Sequence, residues 1–124
     1  MATRIIIKVD GEPFEAELFD TPTGRAAVAA LPIESTIRTW GDEFYFESGL
    51  GIGNDETSGM DIDVGDIGYW PDGDALCIFF GPTPASDSEK PVPAGPVNKL
   101  GKMISDAREL KRLHGAKKVV FSKK

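Results

Sequence analysis

The chain has one cysteine, one histidine and no apolar run approaching the ~20 residues that cross a bilayer. The single cysteine, Cys77, excludes an internal disulfide. Flanked by Leu76 and Ile78, it reads as a buried, inert thiol in a reducing cytoplasm. The single histidine, His114, precedes Gly115 at the end of a short helical segment, where its cation suits the negative end of a helix dipole. Without a second histidine or a nearby cysteine it lacks the partners for a zinc site, and it is a remote base for any nucleophile. Met1 to Val9 lacks the layout of a signal peptide, so we expect a cytoplasmic protein without membrane contact.

Positive charge is also scarce where most of the chain lies. Residues 1–98 carry 5 basic and 18 acidic side chains, whereas residues 99–124 carry 9 basic and 2 acidic, for a net charge of −6. Nucleic-acid binding requires a basic surface that outweighs the repulsion of the remainder, so no nucleic-acid partner is expected. The basic end reads as a solvated helix and tail docked on an acidic body. At 124 residues the chain is long enough to bury one core as a single domain, 1–124.

The elements follow from periodicity and punctuation. Arg4 to Asp10 is short and β-branched, Asp10-Gly11 is a hairpin turn, and Glu12 to Leu18 alternates, with Phe14, Ala16 and Leu18 on one face. Asp20 to Pro32 changes to a helical period, with Asp20 or Thr21 as cap, Pro22 in the first turn and Pro32 as the stop. Thr23-Gly24-Arg25 at that helix start lacks the lysine of a phosphate loop and reads as plain capping. Ile33 to Trp40 and Asp42 to Glu47 are expected to pair around Gly41, with Glu43, Tyr45 and Glu47 on one face and Phe44 and Phe46 on the other. Residues 48–65 form the longest loop, with a short strand near Met60 to Val64. Ile67 to Trp70 and Ala75 to Phe80 make a hairpin through Pro71-Asp72-Gly73. Residues 81–96 are an irregular excursion, Val97 to Ile104 a strand, Asp106 to His114 a short helix, and Lys118 to Phe121 a closing strand. Many short strands with two short helices indicate a mainly β fold, an antiparallel barrel or sandwich.

The candidate chemistry is thin. Asn54, Asp55, Glu56, Asp61, Asp63 and Asp66 crowd one loop, but their spacing does not match an EF-hand, and the loop reads as solvated; no metal and no cofactor is expected. Glu43 shares a face with Tyr45, near Trp40 and Arg38, and either orients a ligand or pairs with Arg38. The stretch Leu76 to Phe80 is apolar on both faces, so its outer face must be covered by a helix, a loop, a ligand or another copy of the chain.

Leu31-Pro32, the run Thr39 to Phe46, the run Gly65 to Pro71, the run Ala75 to Gly81 and Thr83-Pro84 together resemble the prokaryotic cyclophilin-like family of small uncharacterised proteins. The resemblance implies a closed cyclophilin-type β-barrel of about eight strands. Cyclophilins rotate peptidyl-prolyl bonds with an arginine that follows phenylalanine and histidine, and this chain has no Phe-His-Arg. Arg38 is the one candidate to stand in for it as a catalytic residue, by fold analogy. The leading expectation is a binding module for a peptide or small molecule in an aromatic pocket made by Trp40, Tyr45, Tyr69, Trp70 and Phe80, with Glu43 or Thr83 placing a polar group. The alternatives are a peptidyl-prolyl isomerase using Arg38 and a subunit that self-associates as a homodimer through its apolar outer face.

Overall fold

Ten residues from the start, Asp10 and Gly11 both take positive φ and turn β1 (Thr3–Val9) back into β2 (Glu12–Leu18), the hairpin expected of that dipeptide. The computed structural model describes residues 2–124. Helix α1 (Pro22–Ala30) follows, with Thr21 as N-cap accepting from the Gly24 amide at 3.0 Å, and it ends before the cis Leu31-Pro32 bond. Then come β3 (Ile33–Thr36), β4 (Arg38–Thr39), β5 (Glu43–Glu47), β6 (Asp66–Trp70), β7 (Ala75–Phe79), β8 (Asn98–Met103) and β9 (Lys118–Lys123).

All pairings are antiparallel, in the order β3-β9-β1-β2-β8-β6-β7-β5-β4. The two edge strands, β3 and β4, are consecutive in the chain and joined through Ile37. The sheet therefore curls into a nearly closed barrel of nine strands, one more than the resemblance implied. Barrel closure leaves little exposed strand edge.

Two local expectations need correction. Ile33 to Thr36 does not pair with β5. It pairs with β9, on the edge of that strand that β1 leaves free, and only Arg38 and Thr39 pair with Tyr45 and Phe44. Met60 to Val64 is not a strand; its neighbourhood makes a single bridge, Gly59 to Val97. Residues Ala107–Leu113 form a 3-10 helix, and Leu100 and Met103 belong to β8.

The interior takes alternate residues from each strand, as the pleat requires. Ile5, Ile7 and Val9 face Phe14, Ala16 and Leu18, with Phe44, Phe46, Ile67, Leu76, Ile78, Leu100, Val119 and Phe121 completing the core. Ala27 from α1, and Ala107 and Leu110 from the 3-10 helix, pack into the same cluster. Gly101 in β8 allows the backbone of β2 to pass, since a Cβ there would strike the Glu17 carbonyl. No described helix is long and apolar enough to cross a membrane.

Both faces of β7 are buried. Leu76, Ile78 and Phe80 point into the barrel, whereas Cys77 and Phe79 point out. The chain covers that outer face with its own loops: Ile62 and Val97 pack on Cys77 and Phe79, with Tyr45 and Trp70 at the margin.

Candidate functional site

The outward face of β5 and β7 carries a cavity of about 240 Å³, lined by Trp40, Glu43, Tyr45, Trp70, Cys77, Pro93, Ala94 and Val97. Strand register sets its floor. Tyr45 lies opposite Cys77, and Glu43 lies one pleat along from Tyr45 on the same face of β5. Trp40 is placed by a tight turn in which its amide bonds the Glu43 carbonyl at 2.9 Å. Gly41 takes a φ of +60° there, and a Cβ on it would press into Thr83 and Pro84.

The Trp70 ring forms a second wall. It lies across Gly73 and against Gly95, both positions where a Cβ would crowd the indole. The remaining wall, Pro93 and Ala94, belongs to the irregular excursion. Thr83 secures that segment by donating its hydroxyl to the Val92 carbonyl at 2.5 Å, and the backbones of Gly59 and Val97 bond reciprocally at 3.1 and 3.0 Å.

Glu43 is the one charged group lining the cavity, and it is only 5% exposed. Its Oε1 is buried and has no hydrogen-bond partner. Burial raises its pKa from 4.5 to about 7, and a hydrogen bond with the neighbouring Cys77 thiol offsets this only in part. Burial, and then the Glu43 charge, push the Cys77 thiol well above its ordinary range, so it remains protonated. Glu43 therefore does not pair with Arg38: nothing among the described residues neutralises it.

Of the residues expected to form one pocket, the structure brings together Trp40, Glu43, Tyr45 and Trp70. Tyr69, Phe80 and Thr83 do not line it. Tyr69 faces the barrel interior because it alternates with Trp70 along β6, and its hydroxyl donates to Asp74 Oδ1 at 2.6 Å. Phe80 packs inside on Phe44, with ring centroids 4.7 Å apart, and meets the edge of His114. Thr83 is buried and spends its hydroxyl on its own loop. Arg38 is exposed on β4 and borders an adjoining groove that shares Tyr45 and Trp70.

Sequence reasoning did not place Cys77, Pro93, Ala94 and Val97 at the site. The two apolar faces of β7 were a usable signal for Cys77, whereas the approach of residues 93–97 depends on the Thr83 and Gly59 contacts.

The acidic loop is absorbed structurally. Burial pushes the Asp55 carboxyl up, but hydrogen bonds from Thr57 and Thr23 outweigh it and hold the group below the usual carboxylate range. The same carboxylate accepts from Thr23 of α1, whose Oγ1 in turn accepts from the Asn98 amide at 2.9 Å; that amide also donates to the Gly53 carbonyl at 2.9 Å. Asp61 and Asp63 share Lys90. No group of carboxylates, histidines and cysteines able to hold a metal occurs among the described residues.

The comparisons agree with a barrel of this kind. The family model described as cyclophilin-like matches residues 3–122. The chain belongs to the cyclophilin-like family. The solution structure of a hypothetical protein from Archaeoglobus fulgidus is similar to it, with a TM-score of 0.81 and 38% sequence identity over 98% of this chain and 95% of that one. No curated protein matches it.

Proposed function

We propose that this cyclophilin-like protein is a binding module that takes a small ligand, or a short peptide side chain, in the outer groove between Trp40 and Trp70. The observation that carries this reading is the unpartnered, buried Oε1 of Glu43 beneath three aromatic side chains. A carboxyl oxygen held out of water without a partner is costly to a fold that has no use for it. Apolar walls with one converging polar group form the usual plan of a small-molecule site. The volume of about 240 Å³ falls below the roughly 300–1,000 Å³ of drug-sized sites, which favours a compact group. The reading assigns the protein to the cytoplasm, where Cys77 stays a thiol.

The test is an NMR titration with a panel of small cationic, neutral and prolyl probes. Shifts are expected to cluster on the Trp40 and Trp70 indoles, Tyr45 and Val97. Saturable shifts confined to other surfaces would refute the site.

A second reading, peptidyl-prolyl isomerisation, draws on Arg38 bordering the groove that adjoins this one. It expects faster cis–trans exchange of a proline peptide, with the acceleration lost in Arg38→Ala. The absence of acceleration at high protein concentration removes it. Self-association has less to recommend it, since the chain itself covers the outer face of β7 that suggested a second copy.

A further inference from the structure

We propose that the groove selects an alkylated ammonium cation, such as the trimethylammonium head of choline or of a trimethylated lysine. The inference rests on the binding role proposed above and specifies the ligand class. Three aromatic side chains, Trp40, Tyr45 and Trp70, line a cavity of about 240 Å³ whose single charged group is the Glu43 carboxyl. Aromatic faces carry negative quadrupole density, and grouping them around a carboxylate creates a site that rewards positive charge. No lysine or arginine lines the cavity to occupy it from within.

The remaining lining narrows the class of cation. A primary ammonium carries three N–H donors, each of which needs an acceptor once water is excluded. Pro93, Ala94 and Val97 contribute to the lining, and Glu43 Oε1 is the one buried side-chain acceptor without a partner among the described residues. An alkylated nitrogen has few or no donors to satisfy and spreads its charge over methyl groups that pack on the rings. Its methyl groups suit the apolar lining, and its charge is met by the Glu43 carboxylate. The surplus of acidic side chains over residues 1–98 adds long-range attraction for a cation.

None of the side chains that line the cavity with Glu43 is cationic, the register partner of Glu43 on β7 is Phe79, and Arg38 borders the next groove. Binding is therefore linked to Glu43 ionisation. With its pKa at about 7, the carboxylate fraction rises roughly tenfold between pH 6 and pH 8, and cation affinity is expected to rise about tenfold with it.

Both tryptophans of the chain line the cavity, so intrinsic fluorescence reads occupancy directly. The experiment titrates wild-type protein at pH 8 with choline and with its neutral carbon isostere, 3,3-dimethylbutanol, and repeats both with Glu43→Gln. Choline is expected to bind at least about tenfold more tightly than the isostere, and Glu43→Gln to abolish that preference. A trimethyllysine peptide serves as a further arm. Binding of either cation supports the site, and their ratio distinguishes a free metabolite from a modified side chain. Equal binding of choline and its isostere would overturn the cation inference while leaving the binding role intact. If no probe of the series binds, the cation inference falls, and the binding role is judged by the NMR titration alone. The isostere comparison needs only wild-type protein, so the test does not depend on the variant folding.

Discussion

Glu43→Gln also makes a stability measurement decisive for the site's electrostatics. The Glu43 carboxyl has a pKa of about 7 in the folded protein against an ordinary 4.5. Below pH 4.5 it is protonated in both folded and unfolded chains and imposes no ionisation cost. Between pH 4.5 and about 7 the unfolded chain releases a proton that the folded chain retains, so stability falls by about 1.4 kcal/mol per pH unit. The loss reaches roughly 3 kcal/mol and is then constant at higher pH. In a domain of this size that corresponds to roughly 10 °C in melting temperature. The variant's amide does not titrate, so this loss should be missing from it. Any penalty for the amide's own unpaired donors is independent of pH and shifts the whole profile without tilting it. The assay is urea unfolding of both proteins at intervals from pH 4.5 to pH 8.5, with the m-value checked for constancy. The variant's stability relative to wild type is expected to rise by roughly 3 kcal/mol across that range, centred between pH 5 and 7. Parallel profiles would show that Glu43 titrates as an ordinary exposed carboxyl, and the account of a desolvated, unpartnered site would be wrong.

Tyr69→Phe removes a 2.6 Å hydrogen bond to Asp74, which also accepts from the Gly49 and Gly51 amides, and should cost about 2 kcal/mol. Hydrogen exchange should show protection lost first in residues 49–52, and unchanged exchange there would refute the linkage. Gly101→Ala forces a Cβ into the Glu17 carbonyl across β2 and β8 and should destabilise by about 2 kcal/mol or more, measured by thermal unfolding. A neutral effect would mean that the two strands separate more easily than their packing implies. Cys77 is only 2% exposed, so it should resist a thiol-specific reagent at pH 8 in the native protein and react fully in denaturant. Rapid native labelling would indicate that the loop over β7 opens readily.

Most of the fold was legible because its determinants are local. Asp10-Gly11 specifies a hairpin through positive φ, Thr21 and Pro22 start a helix, and the alternation of Phe14, Ala16 and Leu18 marks an inward face. The outward face of β5 was also readable, since Phe44 and Phe46 must both point inward, and this places Glu43 and Tyr45 together on the other side of the sheet. Pairing partners were less accessible. Ile33 to Thr36 joins β9, more than 80 residues away, rather than its neighbour, because that pairing covers the edge of β9 that β1 leaves free.

The aromatic residues show where local reading stops. Tyr69 and Trp70 are adjacent in sequence, yet the pleat sends one to the core and the other to the groove. Phe80 follows Phe79 with the same outcome, one ring in the barrel and one under the covering loop. The sequence alone determined that these rings would be buried around a β-hairpin and which of them share a face. Only the tertiary structure decided which face is inside. That choice depends on the strands supplied by β5 and β8, and on the excursion that brings Pro93 and Ala94 over Glu43. An unpartnered carboxyl is likewise a property of three-dimensional surroundings. No residue near Glu43 in sequence announces that its Oε1 is left without a donor, because that depends on every element packed around it.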